Sequence, residues 1–134
     1  MDINFIETSE INDWKAPVLH DCIKATVFNS YTLQKNIAQF EKVFSLLKTL
    51  LSKKANPNAV DSYGNNCLNR ALMDVRQMLV NPSADFSNDI LLRQIRSVFK
   101  ELINAGADPN QSSERRESFA SNIINNKMEQ YQLW

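Results

Sequence analysis

The chain has 134 residues, with 15 lysines and arginines balanced by 15 acidic residues, 43% hydrophobic content, two glycines and four prolines. Its length fits a single domain with its own core. So few turn residues exclude a loop-rich or all-β chain, and zero net charge removes the global field that nucleic acid or an anionic membrane would need. The charge is uneven, however. Residues 1–21 hold Asp2, Glu7, Glu10, Asp13 and Asp21 against Lys15, and residues 22–54 hold Lys24, Lys35, Lys42, Lys48, Lys53 and Lys54 against Glu41. Such blocks read first as solvated faces of their elements.

Residues 1–14, with Ile3, Phe5 and Ile6 in an acidic stretch, read as an irregular lead-in or short helix covering the first core element. Pro17 suits the first turn of a helix, and Leu19, Cys22, Ile23 and Thr26 continue it to about residue 28. Thr32 is a candidate cap for a second helix running to about Lys53, with Leu33, Ile37, Phe40, Phe44, Leu47 and Leu51 on its apolar stripe and Val43, Leu46 and Leu50 widening it. Asn65 or Asn66 can cap a third helix whose buried face is Leu68, Ala71, Leu72, Val75 and Leu79. Asn81-Pro82-Ser83 ends it, because a residue before proline is pushed out of the helical region. A fourth helix starts between Ser83 and Ser87 and stops at Gly106, a left-handed C-cap. Ser112 or Ser113 can cap a last one through Phe119, Ile123 and Ile124. The class is all-α.

The chain repeats itself. Leu50-Leu51 recurs as Leu102-Ile103, and Ala55-Asn56-Pro57-Asn58 recurs as Ala107-Asp108-Pro109-Asn110, fifty-two positions later. Leu19, Cys22 and Ile23 overlay Leu68, Ala71 and Leu72 at an offset of forty-nine. A period near fifty implies stacked helix–turn–helix units, each burying its face on the next.

These residues resemble the ankyrin-repeat family. Asp61-Ser62-Tyr63-Gly64 matches its turn, Asn66 to Leu72 matches its inner-helix opening loosely, and Leu102 to Asn110 matches its outer-helix end closely. Ala16-Pro17-Val18-Leu19-His20 is a weaker first copy, and Glu117-Ser118-Phe119-Ala120 a degraded third. The resemblance implies an ankyrin-like solenoid of about two and a half units in one domain: a first unit over about 12–58, a second over about 59–110 and a C-terminal cap over about 111–134. The family period is about 33 residues, so both units carry insertions that elongate their helices. Lys54 replaces the first C-cap glycine, and Arg116 stands where a third turn would have one.

The residues offer little for catalysis. His20, the lone histidine, sits where the family places a turn-holding histidine rather than a base. Cys22 and Cys67 lie in apolar helical patterns without zinc-site spacing, and read as reduced, buried thiols. No phosphate loop is present, no apolar run approaches the ~20 residues of a membrane span, and no secretory segment stands at the N-terminus. The expectation is a cytoplasmic protein that is not an enzyme and holds no metal or cofactor.

Family position implies a protein-binding surface on the turn tips and inner-helix flanks: Val60, Ser62, Tyr63, Asn65, Met73 and Asp74 in the middle unit. It adds Ser112, Glu114 and Arg115 in the third unit, and Asp13, Trp14 and Ala16 in the first. Trp14 either anchors a partner or packs inside the N-terminal cover. Arg70, where the family prefers an apolar residue, is either a surface contact or locally paired. The loops 29–32 and 81–88 form a second possible surface. The partner is another protein, not nucleic acid or membrane, and the chain is a monomer or a heterodimer with its target. Small stand-alone ankyrin-like proteins resemble immunity proteins that neutralise a cognate toxin. The alternative is a viral or intracellular-pathogen ankyrin protein that intercepts a host signalling or ubiquitin-pathway protein.

Overall fold

Asparagine and serine side chains that accept from free helical N–H groups mark where the last three α-helices of the chain begin. The computed structural model describes residues 6–8, 15–32 and 37–134, with side chains over 17–32 and 37–134. Five α-helices are formed among the described residues: α1 (Val18–Phe28), α2 (Ile37–Ser52), α3 (Cys67–Leu79), α4 (Asp89–Asn104) and α5 (Phe119–Asn125), followed by a 3₁₀ turn over Glu129–Tyr131. The protein is all-α apart from one short ribbon. Strand β1 (Ile6–Thr8) pairs antiparallel with β2 (Lys15–Pro17), Ile6 opposite Pro17 and Thr8 opposite Lys15. Ile6–Thr8 therefore departs from the expected lead-in or short helix, because it finds a strand partner in the residues leading into α1.

Capping fixes the boundaries. Pro17 precedes α1 without a side-chain cap. Asn66 caps α3, its Oδ1 accepting from Asn69 N at 2.9 Å. Asn88 caps α4, accepting from Ile90 N at 2.8 Å, so α4 starts later than the 83–87 expected. The reason is local competition. Asn81 Oδ1 accepts from Ser83 N and Asp85 Oδ1 accepts from Ser87 N, both at 2.9 Å, closing two successive Asx turns in place of a helical turn. Likewise Ser118, not Ser112 or Ser113, caps α5, accepting from Ser121 N at 3.2 Å. Thr32 is described but 33–36 are not, so its expected capping role lies partly outside the described residues.

Three helices end in the same way. Ala55 N donates to Leu50 O and Lys54 N to Leu51 O; Ala107 N to Leu102 O and Gly106 N to Ile103 O; Met128 N to Ile123 O and Lys127 N to Ile124 O, all between 2.9 and 3.1 Å. Each is a Schellman closure with a positive φ: 66° at Lys54, 109° at Gly106 and 56° at Lys127. Only the middle one has glycine, whose missing Cβ makes that backbone free of strain.

The helices pack in two rows. α1 touches α3 and α3 touches α5, while α2 touches α4; α1–α2 and α3–α4 pack as pairs. Between the rows lie Leu19, Ile23 and Val27 of α1, Phe40 and Leu47 of α2, and Leu68, Ala71 and Val75 of α3. Leu91, Ile95, Val98, Phe99 and Leu102 of α4 and Phe119 of α5 complete this core. Phe99 stacks on Phe119 with centroids 5.1 Å apart and planes 14° from parallel, fastening α5 to α4. Leu46 and Ile37, expected on the buried stripe of α2, are about half exposed. Contacts to α1 and α4 cover Phe40, Phe44, Leu47 and Leu50 on α2, and that narrower stripe leaves Leu46 outside.

Candidate functional site

The turn between α2 and α3 is built on one carboxylate. Asp61 Oδ1 accepts from both Tyr63 N and Asn65 N at 2.9 Å, while Gly64 N donates to Asp61 O at 3.0 Å and Asp61 N to Asn65 O at 2.9 Å. Fifty-two positions on, Ser113 takes the role of Asp61: its N donates to Arg116 O at 2.9 Å and its Oγ accepts from Arg116 N at 3.2 Å. The third turn therefore forms even though Arg116 stands in the place of Gly64. Here the Ser113 hydroxyl accepts one backbone N–H where the Asp61 carboxylate accepts two, so this turn is held by fewer bonds.

Side chains tie the two turns to each other. Ser113 Oγ donates to Gly64 O at 2.9 Å. Asn58 Nδ2 donates to Gly106 O at 3.0 Å, Asn58 Oδ1 accepts from Asp108 N at 3.2 Å, and Gln111 Nε2 donates to Asn58 O at 3.2 Å. Asn69 Nδ2 donates to Glu117 O at 3.0 Å, and Asn122 Nδ2 donates to Asn69 Oδ1 at 3.2 Å. A Cβ on Gly64 (φ 82°) would meet Ser113 Oγ at 2.6 Å, so the close approach of the turns requires glycine there. This ladder fixes the turn tips as one continuous edge.

On that edge Val60, Tyr63 and Met73 are exposed, Glu114 and Arg115 are exposed, and Ser62 is half-buried. Two expected contact residues are not on it. Asn65 is 2% exposed and Asp74 1% exposed. Asn65 braces the turn by donating its Nδ2 to Asp61 Oδ2 at 3.3 Å. Asp74 faces the interior and pairs with Arg70, Nη2 to Oδ1 at 3.2 Å. Burial pushes the Asp74 carboxyl up to about 6, against the opposing pull of Arg70 and Lys24. Arg70 is thus the locally paired alternative rather than a free contact. Trp14 and Asp13 lie outside the described residues, and Ala16 is placed by its backbone in β2 opposite Glu7.

Sequence reasoning missed the pocket beside this edge. About 150 Å³ between α3, α5 and the turn before α5 is lined by Asn65, Asn69, Leu72, Met73, Arg76, Arg116, Asn122 and Asn126. Met73 and Arg76 lie three apart on one helical face, a signal present in the sequence. Arg116 carried no such signal, because its place depends on the turn forming without glycine.

His20 is buried on α1, beside the α2–α3 turn. Desolvation pulls its pKa down to about 4, with Asp61 and the Ala59 backbone opposing and Arg70 reinforcing, so the ring is neutral at pH 7. Neither ring nitrogen has a partner in hydrogen-bonding geometry. Burial also pushes the Cys67 thiol up to about 12 and raises that of Cys22, leaving both protonated at neutral pH. Among the described residues no cluster of His, Cys, Asp or Glu is placed to hold a metal, and no helix is long and apolar enough to cross a membrane. Compared with known proteins, the chain matches no family model, no curated protein and no solved structure.

Proposed function

We propose that the chain is a non-catalytic, ankyrin-like protein-binding module, with helix–turn–helix units stacked as a short solenoid. The observation that carries this reading is the ladder from Asn58, Asn69 and Ser113 to the next unit, which holds Val60, Tyr63, Met73, Glu114 and Arg115 on one rigid edge. Exposed aromatic and apolar side chains on a pre-organised edge are the composition of a protein-recognition surface, where tyrosine and arginine carry much of the energy. The protonated thiols and the buried, neutral His20 support a structural use of those residues rather than nucleophilic catalysis.

In its most specific form the module is a cytoplasmic inhibitor of immunity type that binds and neutralises a cognate toxin. Co-expression with the protein encoded by the neighbouring gene tests it. Relief of that protein's toxicity and a one-to-one complex are expected. A neighbour that is harmless alone, together with a stoichiometric complex formed with a host protein, would replace this version by host interception.

A further inference from the structure

The pocket between α3 and α5 carries two guanidinium groups that no side chain among the described residues engages. Arg76 projects from α3 and Arg116 from the turn before α5, and neither side chain makes a hydrogen bond or ion pair among the described residues. Both are exposed and line one cleft, so together they present donors and positive charge to an incoming anion. The rest of the wall is fixed. Asn69 Nδ2 and Asn122 Nδ2 both donate to Glu117 O, at 3.0 and 3.2 Å, and Asn126 Nδ2 donates to Asn122 O at 2.8 Å. The side-chain oxygens of Asn122 and Asn126 accept no hydrogen bond among the described residues. Met73 adds an exposed apolar surface at the rim.

We propose that this pocket clamps the carboxylate side chain of an acidic segment of the partner protein, a proposal that rests on the protein-binding reading above. Arg76 and Arg116 supply planar, always-charged donors suited to a carboxylate. The asparagine oxygens take backbone N–H groups of the same segment, and Met73 receives an apolar neighbour of the acidic residue. A nucleic-acid backbone fits less well. A DNA backbone brings no donors for the asparagine oxygens, and Glu114 and Glu117 on the same turn repel a continuous polyanion more than a single carboxylate.

The test is selection of random dodecapeptides displayed on phage against the intact protein, with the Arg76→Gln/Arg116→Gln double variant as counter-selector. The consensus peptide is then synthesised and titrated by fluorescence anisotropy. Enrichment of Asp or Glu at one position beside an apolar residue is expected. Affinity should fall about tenfold in Arg76→Gln and in Arg116→Gln, and again when that Asp or Glu is changed to its amide. Thermal unfolding should be unchanged, as both side chains are exposed. Selection without acidic enrichment, or displacement of the peptide by heparin or oligo-dT at lower concentration than by unlabelled peptide, would overturn the clamp. A peptide that binds both arginine variants normally but is lost in Tyr63→Ala overturns the clamp and leaves the binding edge intact. A peptide indifferent to all three changes removes both.

Discussion

The Asn58 side-chain amide donates to the carbonyl of Gly106 at 3.0 Å, forty-eight residues away, and the same amide's oxygen receives Asp108 N at 3.2 Å. Gly106 is the left-handed residue that ends α4, so one asparagine in the turn after α2 receives the end of α4. Asn58→Ala removes both side-chain bonds while leaving possible the bond from the Gln111 side chain to the Asn58 carbonyl. It should cost about 1–2 kcal/mol, since these are partly solvated bonds at the surface. Urea unfolding should show a lower midpoint with an unchanged slope.

Left-handed backbone at Lys54, in a Schellman closure, and at Gly64, in the Asp61 turn, gives two substitutions of opposite sign. Lys54→Gly relieves a φ of 66° and should raise stability by up to about 1 kcal/mol, reduced by the greater freedom glycine adds to the unfolded chain. Gly64→Ala should act in the opposite direction and by more. Its Cβ meets Ser113 Oγ at 2.6 Å, and the displaced turn carries Arg115 and Arg116. Thermal unfolding of both variants checks the sign.

Phe99 and Phe119 join α4 to α5 through a stacked pair with no exposure. Phe99→Ala should cost about 3–5 kcal/mol, and Phe99→Leu considerably less, because the loss scales with the cavity left behind. Hydrogen exchange should show α5 losing protection before α1 and α2.

His20 and Asp74 impose opposite pH dependences. His20 has a folded pKa of about 4 against 6.5 unfolded, so the unfolded chain binds the extra proton between those values. Its contribution is present above pH 6.5 and is lost as pH falls to about 4, amounting to roughly 3 kcal/mol at full extent. Asp74, raised to about 6 from 3.8, does the reverse: the folded state holds the proton, and stability from this group is lost as pH rises from 3.8 to about 6. The partial cancellation between pH 4 and 6 should flatten the wild-type profile. His20→Asn should leave the Asp74 dependence alone, so stability falls as pH rises through that window.

The helices were legible because their apolar spacing is strong and because Asn66 and Gly106 do what their residue types favour at a cap and a stop. The recurrence of Leu50 to Asn58 at Leu102 to Asn110 was legible for the same reason: local backbone chemistry recurs with the residues. Burial of polar side chains was not. Asn65 and Asp74 look like surface residues because their partners Asp61 and Arg70 are only four residues away. Their burial depends on the packing of α1 against α3, which periodicity within one segment does not show. The late start of α4 at Asp89 turns on two Asx turns competing with a helix of similar local energy. The pairing of Ile6–Thr8 depends on a partner strand, which periodicity within one segment does not reveal.

Truncating Tyr63 or reversing charge at Arg115 should weaken association about tenfold or more while leaving thermal unfolding near that of the unmodified protein, because both side chains are exposed and neither side chain belongs to the ladder. Isothermal titration with the captured partner reads the first effect and calorimetry the second.

The binding edge itself is tested most directly by photo-crosslinking in the native source, with a benzoylphenylalanine placed at Met73 on the proposed face and, separately, at Leu46 on the opposite row. Both positions are exposed. The account predicts one protein crosslinked in stoichiometric yield from position 73 and none from position 46. Crosslinking from Leu46 alone would contradict it and move recognition to the outer row.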